Sequence, residues 1–127
     1  MNKLDKESVV GISALLVHAA KIDEIYSEHE KNLVKNFIKS YLEKENINEI
    51  LRKAEEIEKN SNQLLSFTNI IKKNSMDVKK DIIEHLWKVI ISDNTVDQYE
   101  SNLMRRICGL IYFPDKECAE IKLKLIN

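Results

Sequence analysis

Glycine and proline are almost missing from this chain: 2 Gly and 1 Pro occur in 127 residues. An all-β fold needs many tight turns, and these are the residues that build them. The shortage excludes that class and points to helices. It also excludes a glycine-rich phosphate loop, which Gly11 and Gly109 alone cannot form. Cysteine is equally scarce, at Cys108 and Cys118 only. No Cys-x-x-Cys is present, so neither a zinc site nor a thioredoxin-type redox site is signalled. A chain of this length buries an adequate core without a disulfide. Cys108 lies in the apolar run Ile107-Cys108-Gly109-Leu110 and reads as a small core side chain, while Cys118 lines the last helix.

Neither sign of charge dominates. Lys+Arg total 20 and Asp+Glu 21, for a formal charge of −1. That argues against a nucleic-acid binder working by bulk charge. Lys72, Lys73, Lys79 and Lys80 make a small basic edge, but Asp77 and Asp81 sit among them, so no nucleic acid is expected as a partner. The longest stretch free of Asp, Glu, Lys and Arg is Ser8–Ala20, 13 residues, too short to span a bilayer. The first residues carry both signs of charge and no cleavage-site pattern, which reads as a cytoplasmic protein without a signal peptide.

What is present is helical patterning. Charged residues make up 32% and the apolar set 43%, a globular balance. Apolar residues recur at helical spacing in seven segments. These run over about Lys6–Lys21, Ser27–Glu43, Asn46 onward, Asn62–Lys73, Met76–Ser92, Asp97–Tyr112, and from Pro114 or Asp115 to the end. The first and fifth are hydrophobic on more than one side, which predicts that they sit in the middle of the bundle. Trp87 falls on the fifth and reads as core. The fold class expected is all-α, one domain, with linkers short enough for a compact bundle.

A shift of 70 positions aligns two parts of the chain. Ile12, Leu16, Asp23, Glu30, Asn32 and Leu33 meet Ile82, Leu86, Asp93, Glu100, Asn102 and Leu103. In both copies a hydrophobic helix leads through an acidic turn into an amphipathic helix. The pattern predicts a duplicated three-helix unit. Repeat one covers about 5–59, a connector helix about 61–74, and repeat two about 76–126.

Each acidic turn has the form Asp-x-x-apolar-(Ser/Asp)-x-x-Glu. The copies are Asp23 to Glu30 and Asp93 to Glu100. One reading is structural. Ser27 and Asp97 cap the following helices, Glu30 and Glu100 complete capping boxes of about 1 kcal/mol each, and Asp23 and Asp93 bond backbone N–H groups of the turn. The other reading is a divalent cation. The Asp-to-Glu spacing equals the second half of a helix–loop–helix calcium loop. The earlier carboxylates of such a loop are missing, because Ala19, Lys21, Val89 and Ile91 stand in their places. A hard cation takes about six to eight oxygens, so Asp23, Glu30, Asp93 and Glu100 would have to act together.

The segments Ala19-Ala20-Lys21-Ile22-Asp23-Glu24-Ile25-Tyr26-Ser27-Glu28-His29-Glu30 and Ile90-Ile91-Ser92-Asp93-Asn94-Thr95-Val96-Asp97-Gln98-Tyr99-Glu100 resemble the signature of the TerB-like family. That family includes tellurite-resistance TerB proteins and the N-terminal region of the DjlA co-chaperone. The resemblance implies two three-helix repeats about a pseudo-two-fold axis. It also implies a bacterial intracellular protein linked to tellurite or general stress resistance, binding a metal or a protein partner through an acidic surface, with no catalytic activity. The family's turn glycine is Glu24 in one copy and Asn94 in the other. Asn tolerates the left-handed backbone that glycine favours, whereas Glu does not, so the first turn is expected to be remodelled.

No enzyme is legible beside this. The histidines, His18, His29 and His85, form no His-x-x-x-His pair, and no serine sits in a Gly-x-Ser-x-Gly elbow. His18 and His85 read as hydrogen-bonded structural histidines. Asp81, Glu84 and His85 share a helix face, a juxtaposition that arises often by chance. A protein partner or self-association is the expectation that needs no metal.

Overall fold

The run Val9–Val17 contains no charged residue and packs a helix that tolerates neighbours on nearly every side. It forms the centre of α1 (Lys6–Ala20), in which 11 of 15 residues are buried. Six helices surround or extend it: α2 (Glu28–Tyr41), α3 (Ile47–Asn60), α4 (Leu65–Lys72), α5 (Met76–Ile90), α6 (Gln98–Leu110) and α7 (Asp115–Ile126). This computed structural model describes residues 4–22, 26–43, 45–61, 63–91 and 98–126, apart from the side chains of 98 and 99. Among the described residues there is no strand. The all-α expectation holds, with seven helices among the described residues in the expected order.

Caps explain most boundaries. Asp5 accepts from the Ser8 amide at 2.7 Å and starts α1. Ser27 starts α2, Asn46 starts α3, and Ser75 starts α5, each accepting from an amide three residues on. The connector is shorter than its apolar pattern predicts, beginning at Leu65 and not near Asn62. The reason is local. Ser61 Oγ accepts from the Gln63 amide and donates to the Gln63 carbonyl, which holds this stretch in a serine turn. Leu64 then stands at the N-cap with no side chain able to accept.

The end of α6 is also local chemistry. The Phe113 amide bonds the Cys108 carbonyl at 2.8 Å and the Tyr112 amide bonds Gly109 at 3.4 Å. This is the paired bond pattern that closes a helix through a left-handed residue. That residue is Tyr112, with φ 59°. Phe113, buried, returns the chain to the core, and the Pro114 carbonyl accepts the first bond of α7 from Cys118.

α1 packs against α2, α3, α4 and α5. α5 packs against α1, α2, α4 and α7. α1 and α5, each with more than half of its residues buried, are thus the two with the widest set of neighbours. In both sets the first helix lies against the third, α1 on α3 and α5 on α7. α4 bridges α1 and α6, and its Ile70 methyl lies directly over Gly11, where any Cβ would meet it. One contiguous core joins all of this, with Leu16, Phe37, Ile38, Ile82, Leu86 and Met104 among its fully buried members.

Candidate functional site

The first acidic turn closes on Glu30. Ser27 Oγ accepts from the Glu30 amide at 3.1 Å, and Glu30 Oε1 accepts from the Ser27 amide at 2.8 Å and from Ser27 Oγ at 3.1 Å. This is a complete capping box, and it holds a carboxylate that is only 7% exposed. The expected cap at Ser27 is therefore present. Glu100, its counterpart 70 positions on, lies in the first turn of α6 and is 4% exposed. Asp23, Asp93 and the expected cap Asp97 lie outside the described residues.

Tyr26 stands at the entrance to α2. Its ring lies 5.8 Å from the Lys21 ammonium and 5.2 Å from that of Lys31. These contacts suit the negative face of an aromatic ring. Its hydroxyl is buried and, among the described residues, makes no hydrogen bond of good geometry. Burial, with Glu55 beside it, holds that hydroxyl protonated well above the usual tyrosine range, and the charges of Glu30 and Glu28 act the same way.

α3 brings further acid to this end of the bundle. Glu58 accepts from the Lys21 ammonium at 2.9 Å and lies 3.3 Å from His18 Nδ1. Burial works to raise the Glu58 pKa, but the hydrogen bonds and charges of Lys21 and His18 outweigh it and hold the carboxyl below its ordinary value. A shallow cleft of about 180 Å³ opens beside His18 and Glu58, lined also by Gln63, Phe67 and Arg106.

A second polar cluster joins α2 to α5. Tyr41 donates to Asp81 Oδ2 at 2.7 Å, and Asp81 Oδ1 lies 3.6 Å from His85 Nε2. The His85 ring stands edge-on to Phe37 at 5.2 Å. Burial holds the imidazole below its ordinary pKa. Asp81 and Glu84 oppose this and Lys88 reinforces it. Burial and the hydrogen-bonded Asp81 likewise keep the Tyr41 hydroxyl protonated. The 3.6 Å separation is too long for a hydrogen bond.

The chain matches the family described as tellurite resistance protein TerB over residues 10–123. It belongs to the TerB family. No curated relative and no solved structure matches it. The match begins within α1, ends within α7 and includes both acidic turns, so the resemblance extends well beyond the two short signatures.

Within this TerB domain Glu30 and Glu100 lie in the first turns of α2 and α6, and Ser27 is the N-cap of α2. Among the described residues no three His, Cys, Asp or Glu side chains gather closely enough to hold a metal ion. Glu55, Glu58 and Tyr41 went unnoticed as partners. Glu58 bonds residues 37 and 40 positions away, and Tyr41 bonds one 40 positions away. The only trace in the sequence is that Glu55 and Glu58 lie toward the apolar side of α3, next to Ala54 and Ile57. No described helix is long and apolar enough to cross a membrane.

Proposed function

We propose that this TerB-family chain is a non-catalytic cytoplasmic binding module, linked to tellurite or general stress resistance, that takes a divalent cation at its acidic turns. Asp23 and Glu30 in one turn, and Asp93 and Glu100 in the other, supply the oxygens. The observation that carries this reading is the burial of Glu30 and Glu100 at matched positions of the repeat. A buried carboxylate is rare unless a positive charge or a set of donors compensates it. At Glu30 the two donors on Ser27, its amide and its hydroxyl, are neutral and engage Oε1. A cation meeting Oε2 would use a carboxylate whose position the capping box has already fixed. Oxygen ligands of this kind suit Ca²⁺, Mg²⁺ or Mn²⁺.

The test is a ¹⁵N–¹H NMR titration of the full chain with Ca²⁺, Mg²⁺, Mn²⁺ and Zn²⁺ in turn. Saturable shifts confined to residues 22–30 and 92–100, abolished in the Asp23→Ala/Asp93→Ala double variant while the fold persists, are the expected result. No localised shift with any of these ions would reduce the turns to helix caps.

One observation favours a second reading, a protein partner or self-association without metal. α7 is apolar on two faces. Cys118 and Ile121 are buried on one side while Leu123 and Ile126 are exposed on the other, and exposed Met76 borders the adjoining cleft with Lys124. Light scattering that shows an assembly insensitive to chelator supports this reading.

A further inference from the structure

Two thiols that are ten positions apart in the chain meet where α5, α6 and α7 converge. Cys108 is fully buried on α6, and Cys118 is 6% exposed on α7. Both are free. The two thiols are near enough that each acts on the ionisation of the other. The Trp87 indole N–H, from α5, points at the same place. It donates to the Cys118 carbonyl at 3.1 Å and lies 3.3 Å from Cys118 Sγ. A thiol that accepts from an indole N–H beside a second thiol is not in an ordinary apolar packing position.

The surroundings differ between the two sulfurs. Cys118 lines an open cleft of about 440 Å³, together with Trp87, Met104, Arg105, Asp115 and Lys122. Lys122 sits over the Trp87 ring at 5.3 Å, close to the sulfur that the indole engages. Cys108 does not line this cleft and is fully buried behind the surface. We propose that Cys118 and Cys108 form a peroxide-reactive dithiol, Cys118 being the sulfur that meets the oxidant in the cleft and Cys108 the thiol that resolves it.

The electrostatics agree with this division of roles. The Cys108 hydrogen bond is the largest influence lowering the Cys118 pKa. Burial and Asp115 oppose it, while Trp87 and Lys122 add to it. The Cys108 pKa is raised, first by its bond to Cys118, then by burial. Of the two sulfurs, Cys118 is thus the one favoured to ionise, and the thiolate is the nucleophile.

The chemistry balances with hydrogen peroxide as oxidant. A lone pair on the Cys118 thiolate attacks one peroxide oxygen, the O–O bond breaks, and the departing hydroxide takes a proton and leaves as water. Cys118 is now a sulfenic acid. Cys108 loses its proton and attacks that sulfur, the S–O bond breaks, and the hydroxyl leaves as a second water with that proton. Two thiols have given up two electrons and the peroxide has accepted them. A dithiol reductant reverses the product.

The experiment uses the full chain, folded by circular dichroism, treated with hydrogen peroxide in the presence of the sulfenic-acid trap dimedone, with free glutathione in the same tube as reference. Without dimedone, the expected product is a single chain lighter by two hydrogen atoms whose peptide map joins Cys108 to Cys118. Cys108→Ser should accumulate a dimedone adduct at Cys118. Trp87→Phe should slow adduct formation by about threefold, the loss of one hydrogen bond partly offset by the higher nucleophilicity of a more basic thiolate. The wild-type mapping and the Trp87 substitution stand even where Cys108→Ser fails to fold. Both thiols surviving while glutathione is consumed would overturn the proposal. So would a first adduct at Cys108, or a disulfide formed only between two chains.

Discussion

His85 illustrates how a single residue ties burial to pH. Its imidazole lies between Phe37 and Asp81 on the inner side of α5, with Tyr41 bound to the same carboxylate. Burial lowers its pKa from the ordinary 6.5 despite the pull of Asp81 and Glu84. The folded chain therefore binds fewer protons at this position than the unfolded chain once the pH drops below about 6.5. The sign follows: His85 favours folding above that pH and its contribution is lost as the pH falls through the depressed folded value. Urea midpoints measured at about pH 7 and about pH 5 should show a loss of stability on acidification. In His85→Gln the loss over that interval should be much smaller, because no proton is taken up there. An unchanged slope in His85→Gln would place the titrating group elsewhere.

At the scale of the element, the sharpest feature is the end of α6. Tyr112 adopts φ 59° with its side chain 69% exposed, and Lys72 of α4 lies 4.6 Å from its ring. A side chain in the left-handed region costs about 1 kcal/mol relative to glycine, and an exposed cation–π contact returns about 0.5 kcal/mol. Tyr112→Gly should therefore stabilise the fold by about 0.5 kcal/mol. Tyr112→Val should destabilise it by about 1 kcal/mol, since a β-branched residue tolerates this backbone least. Chemical denaturation of the two variants checks both signs. The position also shows what was and was not legible in the sequence. Helix starts could be read because Ser27, Asn46 and Ser75 carry their own acceptors. The start of α4 could not, because Leu64 carries none and Ser61 turns the chain locally. α6 ends at Leu110, two residues before the expected Tyr112, because the burial of Phe113 draws the chain back and overrides the preference for glycine at the left-handed residue. The candidate site divides the same way. Glu30 was legible because its partner is three residues away. Glu58, Tyr41 and the Cys108–Cys118 pair were not, because their partners arrive on other helices and leave no spacing in the chain.

For the whole molecule, the question is whether the two three-helix sets behave as one body. The buried side chains form a single cluster that runs from Val9 on α1 to Ile121 on α7. α1 and α5 lie against each other, and α2 packs on both. A continuous core of this kind predicts all-or-none unfolding. Leu16 and Leu86 occupy matched positions 70 residues apart and are both fully buried. Replacing either with Ala removes buried methyl groups and leaves a cavity, at a cost of about 2–5 kcal/mol. Trp87 reports on the α5–α7 side through its bond to Cys118, while far-ultraviolet circular dichroism reports on all the helices. In wild type the two signals should give the same urea midpoint. Leu16→Ala, remote in sequence from Trp87, should lower both midpoints together and by a shift comparable to that of Leu86→Ala. Were Leu16→Ala to lower the circular dichroism midpoint and leave Trp87 fluorescence where it was, the sets would be separate folding units, and the contacts of α1 and α2 with α5 would be too weak to couple them.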